Sequence, residues 1–214
     1  MTLLSQLLSV FPAVVMMMTL IAAGYFVYHP GLWEAIAPFL LLYGLPPLVY
    51  RIHAWRYPVT KGIYYLGDRT YSPWWGSHQI QLLYIAFPAL ETVLRLIPGV
   101  FSAWLRIWGA SIGQDVYWTP GLEIADRELL TVGDRAVFGH HVGLYAHAIK
   151  PKNENLMLYV KPITIGSHTF IGAGTRIGPG VVIDDGSYVP AKTDLYPHQR
   201  VQQQALETNQ STTA

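Results

Sequence analysis

KPITIGSHTFIGAGTRIGPGVVIDDGSYVPAKTDLYPHQRV, Lys161 to Val201, is the stretch on which the fold turns. Ile165, Ile171, Ile177, Ile183, Val189 and Leu195 recur at six-residue steps, and Gly directly follows the first three. A helix would set its apolar residues three and four apart, and a half-buried strand would alternate them. A sixfold period belongs to a solenoid in which each hexapeptide makes one side of a coil. The aliphatic residue points inward. The Gly, Asp or Pro after it marks the corner, where the backbone bends tightly or takes a dihedral that glycine allows without a Cβ clash. An array of antiparallel hairpins would not hold one spacing over so many consecutive units.

Upstream, Ile112, Trp118 and Ile124 show the same step, and after a two-residue slip Val132, Phe138 and Leu144 resume it. The solenoid therefore spans residues 111–201. A single excursion, AIKPKNENLMLYVK at 148–161, interrupts it, and an interruption at one corner places a loop on one face, often the functional one.

The remainder of the chain is of another kind. About half of the 214 residues are hydrophobic and the mean hydropathy is +0.27, an excess that comes from the amino-terminal half. Leu7 to Tyr28 carries no charged side chain and is long enough as a helix to cross a hydrocarbon core of about 30 Å. A second apolar run, Leu32 to Tyr50, has one acid, Glu34, and the hinge between the two is His29, Pro30 and Gly31. Residues 1–56 are thus expected to form a transmembrane helical hairpin. A cleaved signal peptide would need a basic start and a shorter apolar run. Arg51, Arg56 and Lys61 follow the second run while the hinge has no Lys or Arg, which places the rest of the chain on the cytoplasmic side of a cytoplasmic membrane crossed twice.

Residues 57–110 hold Trp74, Trp75, Trp104 and Trp108 among apolar residues, with Arg95 and Arg106, and with Pro88 and Pro98 as breaks. Two arrangements suit them: interfacial helices on the bilayer, or a helical collar that caps the first coil of the solenoid. The polar tail, 202–214, reads as disordered. With no Cys there is no disulfide framework, and a net charge of +1 offers no electrostatic case for nucleic acid.

The runs ITIGSHTFIGAGTRIGPGVVIDDGSYVPAKTD and IADRELLTVGDRAVFGHHVGLYAH resemble the hexapeptide-repeat acyltransferases, in particular the galactoside, maltose and xenobiotic acetyltransferases. The resemblance covers roughly Ile112 to Val201. It implies a mainly β fold, a left-handed parallel β-helix assembled as a homotrimer, with acyl-CoA as donor, acetyl-CoA first among the candidates, and no metal. It further implies a His that acts as general base on the acceptor's hydroxyl or amine, a task for which imidazole is suited near neutral pH.

His147, in GLYAH, is the residue that matches this base. The sugar enzymes carry two more residues between the tyrosine of the motif and their His, so an ungapped match would put Ile149 in its place; a short deletion keeps the base. His140 and His141, one step earlier, are corner or subunit-interface residues that can also assist His147 or touch the acceptor. His168 reads as structural, and Thr119 stands where the sugar enzymes carry an acceptor-contacting Asn. Asp126 and Glu123 are candidates to hold the imidazole tautomer, although each taken singly reads as a solvent-facing repeat residue.

For the cofactor, the resemblance lays the pantetheine arm against Ala173, Gly174, Pro179 and Gly180, with Lys192, Arg176 and Arg200 as cations for the CoA phosphates. The apolar segment beside the site points to a lipid-linked or membrane-associated acceptor. Two other functions fit parts of the sequence: a non-catalytic trimeric membrane scaffold, and a metalloenzyme like the γ-type carbonic anhydrases that uses His140, His141, His147 and His168.

Overall fold

The chain opens on helices whose ends are set by local chemistry. The computed structural model describes residues 2–67, 70–152 and 154–203. Helix α1 (Leu3–Tyr28) starts where the Thr2 hydroxyl accepts the Ser5 N–H at 3.2 Å, and it ends at the His29–Pro30–Gly31 break. Helix α2 (Leu32–Phe39) runs through a π-helical turn, Leu40–Gly44, into α3 (Leu45–Arg56). Pro46 cannot donate to the Leu42 carbonyl four residues back; the Tyr84 hydroxyl donates to it instead, at 2.5 Å.

Then come β1 (Gly62–Tyr65), α4 (Pro73–Ala86), α5 (Ala89–Leu94) and α6 (Val100–Ile107). Helix α1 packs on α2 and α4, and α3 packs on α4. Trp74, Trp104 and Trp108 are buried against the first coils, so this part of the chain is a collar over the solenoid end. Arg51, a base expected to mark the membrane flank, donates to the carbonyls of Arg106 and Ile107 and caps α6.

The solenoid has three parallel sheets, each built one rung per coil. The first carries β2 (Ser111–Ile112), β5 (Leu130–Val132), β10 (Ile163–Ile165), β13 (Val182–Ile183) and β16 (Arg200–Val201). The second carries β3 (Tyr117–Trp118), β6 (Val137–Phe138), β11 (Phe170–Ile171) and β14 (Tyr188–Val189). The third carries β4 (Glu123–Ile124), β7 (Gly143–Leu144), β12 (Arg176–Ile177) and β15 (Asp194–Leu195).

The register stacks the repeat residues into columns: Ile112, Val132, Ile165, Ile183 and Val201; Trp118, Phe138, Ile171 and Val189; Ile124, Leu144, Ile177 and Leu195. Their inner members are buried, and the Trp118 and Phe138 rings stack 4.6 Å apart. This is the inward stacking that the sixfold period predicts.

Two expectations are corrected. The Gly directly after the aliphatic residue does not take a special dihedral; the left-handed conformation falls two residues later, on Arg135, His141, His168, Lys192 and His198 as well as on Gly174, Gly180 and Gly186. That first Gly is required by the next coil: a Cβ on Gly172 would lie 2.3 Å from the Ala191 nitrogen, and one on Gly139 would lie 2.5 Å from that of Ala173.

The excursion is also more ordered than a loop. It is a hairpin of β8 (His147–Lys152) and β9 (Asn155–Val160), and β1, from a region expected to be helical, pairs antiparallel with β9. Four residues, GIYY, are too short to show a period, and a pairing partner far along the chain decides their conformation. Of the tail, 204–214 lies outside the described residues.

Candidate active site

The solenoid departs from its period twice, both times between the third sheet and the first. The two-residue slip after Ile124 forms a 3₁₀ turn, Arg127–Leu129, with Asp126 at its entry; one coil later the hairpin leaves at His147. Stacking the coils puts one irregularity over the other. His147 Nδ1 lies 2.7 Å from Asp126 Oδ2, and Asp126 is 1% exposed. The other carboxylate oxygen accepts the indole N–H of Trp74, from α4, at 2.8 Å. With Nδ1 facing the carboxylate, Nε2 is the ring nitrogen left for an acceptor, the arrangement that orients and supports an imidazole base.

Helix α4 supplies much of the surrounding wall. Its stripe Trp74, Ser77, His78 and Gln81 lies along the 3₁₀ turn. The Trp74 ring contacts both His78 and His147, with centroids at 4.9 and 4.5 Å, and the two imidazoles meet edge to face at 5.4 Å, so the three rings form a cluster. Burial holds the His78 imidazole below its usual pKa, which favours the neutral ring, and its Nδ1 is buried with no hydrogen-bond partner among the described residues.

Below, the Glu128 carboxylate accepts from the Ser77 hydroxyl and from Gln81 Nε2, the latter at 2.7 Å, and desolvation pushes it up to about 7. Arg127, fully buried, donates to Glu91 at 2.6 Å and to Gln81 at 3.2 Å, so its charge is paired inside the collar.

On the solvent side, His147 opens on a cleft of about 450 Å³ lined by Tyr145, Ala148, Arg176, Pro179 and Tyr196 among others. The Tyr145 hydroxyl donates to Glu123 at 2.6 Å, so Glu123 serves this tyrosine and Asp126 alone of the two acids serves the imidazole. Tyr145 is pushed up to about 12, by burial first and then by this carboxylate, and it stays a phenol.

Most of the other sequence-chosen residues divide between two corners, while His168 lies at the third, between the first and second sheets. His140, His141, Ala173, Gly174 and Lys192 form one ridge between the second and third sheets, linked by the Gly174 N–H to the His140 carbonyl and the Lys192 N–H to the Ala173 carbonyl, each at 2.8 Å. Within one chain His140 and His141 are thus at a different corner from His147. His141, His168 and Lys192 hold left-handed turn positions. The Thr119 hydroxyl, at the base of the same ridge, is buried without a partner among the described residues.

Pro179 and Gly180 share the corner of His147, where the Lys161 stem already fills the space beside Gly180: a Cβ there would come within 2.5 Å of Lys161 Cδ. Gly174 keeps open room, with only Lys192 Cγ at 3.6 Å. Arg176 is engaged bidentately by Asp194 at 2.7 and 2.6 Å, and Arg200 by Asp184. Ile149, the ungapped alternative for the base, is exposed on β8.

Sequence reading misses Trp74, His78 and the cationic group beyond the cleft, where Lys161 Nζ and the Tyr159 hydroxyl lie 3.0 and 2.7 Å from the two nitrogens of His198. Only the SPWWGSH run, with a capping Ser72 and aromatic residues at a helix start, offered a signal, and it reads equally as a packing stripe.

Comparison with known proteins finds similarity to acetyltransferases. The protein provisionally named colanic acid biosynthesis acetyltransferase WcaF, from Escherichia coli K12, is 28% identical over 129 residues, 49% of this chain and 71% of the relative. The galactoside O-acetyltransferase of the same organism is 34% identical over 37% of this chain and 41% of its own length. Among solved structures, a maltose O-acetyltransferase from Clostridium difficile 630 covers 67% of this chain and 89% of its own at 16% identity, with a TM-score of 0.43. No family profile matches the chain.

Proposed function

We infer that this chain, a relative of the hexapeptide-repeat acetyltransferases, transfers an acyl group from an acyl-CoA, acetyl-CoA first among the candidates, to a hydroxyl or amine of a lipid-linked or membrane-associated acceptor. His147 is the general base. The single observation that carries the reading is the 2.7 Å pairing of His147 Nδ1 with the buried Asp126. It orients the ring so that Nε2 takes the acceptor's proton as the acceptor oxygen or nitrogen attacks the thioester carbonyl, and that proton then passes to the departing thiolate.

The donor is held where small residues let backbone and thioester approach. Ala173 and Gly174 on one ridge and Pro179 on the other are its contacts, so in this reading two copies contribute to each site and the left-handed coils assemble as a trimer. An apolar column on the outside of the second sheet, Tyr117, Val137, Phe170 and Tyr188, with the last two rings stacked 5.4 Å apart, supports such self-association. Among the described residues Lys192 is a cation on the ridge with no acid paired to it, while Arg176 and Arg200 are held by acids; Lys161 is a further cation for the CoA phosphates.

The membrane assignment rests on Leu3–Tyr28 and Leu32–Arg56, both long and apolar enough to cross a bilayer, with 6% and 11% of their most apolar windows buried. A soluble core helix would bury far more. Exposed Tyr25, Tyr28 and Trp33 gather near the hinge, and exposed Trp55 at the other end, as in aromatic belts. Phe87, Val93, Leu96 and Ile97, exposed around α5, extend the apolar surface beside the collar. Because α4 packs on α1 and also carries Trp74, the acceptor side of the site is tied to the anchor.

The test is consumption of acetyl-CoA by the detergent-solubilised full chain, with a membrane lipid extract as acceptor pool. Thioester loss is expected with the wild-type protein and absent with His147→Ala; equal turnover by the two proteins would reject the assignment.

A further inference from the structure

We propose that His78, Asp126 and His147 form a reversible binding site for a divalent transition metal of the zinc class, so that metal occupancy and acyl transfer exclude one another. The inference deepens the reading of His147 as base and rests on it only for the consequence, not for the binding.

The three side chains each bring a donor atom within 4.8 Å of the other two. Two imidazoles and one carboxylate are a donor set that zinc takes with water in the fourth position, and its ligands at 2.0–2.2 Å stand roughly 3.3 Å apart around a tetrahedral ion. To meet that spacing the 2.7 Å contact of Asp126 with His147 has to open a little and the widest gap, at most 4.8 Å, to close by roughly 1.5 Å, within reach of small χ rotations.

Two observations single out this cluster. Nδ1 of His78 is one of the buried polar atoms that have no hydrogen-bond partner among the described residues, and it belongs to the donor cluster itself. The ligands also come from separate elements: His78 from α4, Asp126 from the 3₁₀ turn, His147 from the hairpin root. The neighbourhood already has an outer layer, since Trp74 donates to Asp126 and packs against both imidazoles. Groups facing the cluster include Trp74, the Arg127 guanidinium, whose charge is taken up by Glu91, and the Glu128 carboxylate, which is held by Ser77 and Gln81. The set differs from the His140, His141, His147 and His168 combination that the sequence suggested, which the solenoid spreads over separate corners.

A neutral imidazole has one lone pair. An ion that takes it from His147 leaves no acceptor for the proton of the attacking hydroxyl or amine, and an ion that takes a carboxylate oxygen of Asp126 competes with the bond that orients the ring. The ion would also clamp α4 to the coils and so stabilise the folded chain by linkage.

The experiment uses the full chain, free of affinity tag, in detergent, stripped with a chelator and titrated with zinc alone. One ion per chain is expected, together with a rise in melting temperature and loss of thioester turnover in proportion to occupancy. His78→Ala and His78→Gln should each weaken zinc binding at least tenfold, while changing His140 and His141 to Ala should leave it intact. Cobalt offers a readout without any substitution: the wild-type chain should give the intense visible bands of a four-coordinate ion.

Absence of one-to-one binding, or equal affinity in the His78 variants, overturns the proposal. Turnover in chelator with no binding removes the metal site and leaves acyl transfer standing; binding with no turnover on any acceptor does the reverse.

Discussion

The coils from Lys161 to Val201 and the two before them share one cross-section and differ in what they carry. Eighteen residues separate Ile165 from Ile183 and Ile183 from Val201, whereas twenty separate Ile112 from Val132 and thirty-three separate Val132 from Ile165. Every added residue enters at the same corner, between the third sheet and the first. The regular coils bury their columns and expose paired ions such as Arg176 and Asp194. The irregular ones place Asp126 under His147 and admit α4 against them. Regularity here supplies the scaffold, and the breaks in it supply the candidate site, because the extra residues aim side chains off the inward–outward alternation of the rungs.

That division can be broken by mutation. The largest effect is expected at the hairpin root: His147→Ala should lower turnover roughly 100- to 10,000-fold with an unchanged melting temperature, read by thioester consumption and thermal unfolding. Asp126→Asn, which keeps the volume and removes the charge that orients the ring, should cost about 100-fold in turnover. If either change unfolds the chain instead, the irregular coils are scaffold as well.

The regular coils should respond in the opposite sense. Ile171→Ala, at a fully buried rung, should lower stability by about 2–5 kcal/mol in denaturant unfolding while the surviving folded protein keeps its turnover per site. A catalytic loss without a stability loss would erase the contrast.

The junction between the two regions should show itself in pH. Glu128 has its pKa raised to about 7 by desolvation, against about 4.5 when unfolded. Between those values the folded chain keeps a proton that the unfolded chain has released. The associated stability is therefore complete below about 4.5 and lost as pH rises through about 7, a change of at most about 3 kcal/mol. Glu128→Gln should flatten that slope, as measured by unfolding across pH 4.5 to 8.

The smallest effect separates two kinds of glycine. Gly172→Ala forces a Cβ against the Ala191 backbone and should cost about 1–3 kcal/mol. Gly174→Ala makes only an ordinary contact, with Lys192 Cγ at 3.6 Å, and should cost about 1 kcal/mol, from its φ of 71°.

The parts of the site differ in how legible they were. His147 was readable because a short motif places it at the edge of the excursion, whereas its bond to Asp126 follows from no local rule. Asp126 itself looked like one more outward repeat residue, since nothing local says that the 3₁₀ turn buries it. Trp74 and His78 lie on a helix whose pattern reads as packing, and their chemistry exists only through residues far along the chain. The corner glycines were legible as necessary, but for the wrong reason: the close approach of a neighbouring coil is not a property of one hexapeptide.

What the sequence by itself determined is the solenoid, its columns and the two apolar runs, because a fixed period and a long uncharged stretch are local facts that every copy of the repeat reinforces. What only the tertiary structure decided is the site: which acid faces His147, which helix braces it, and which strand extends the hairpin. Those are contacts between segments far apart in the chain, and their geometry is set by how coils of unequal length stack rather than by any residue's neighbours in sequence.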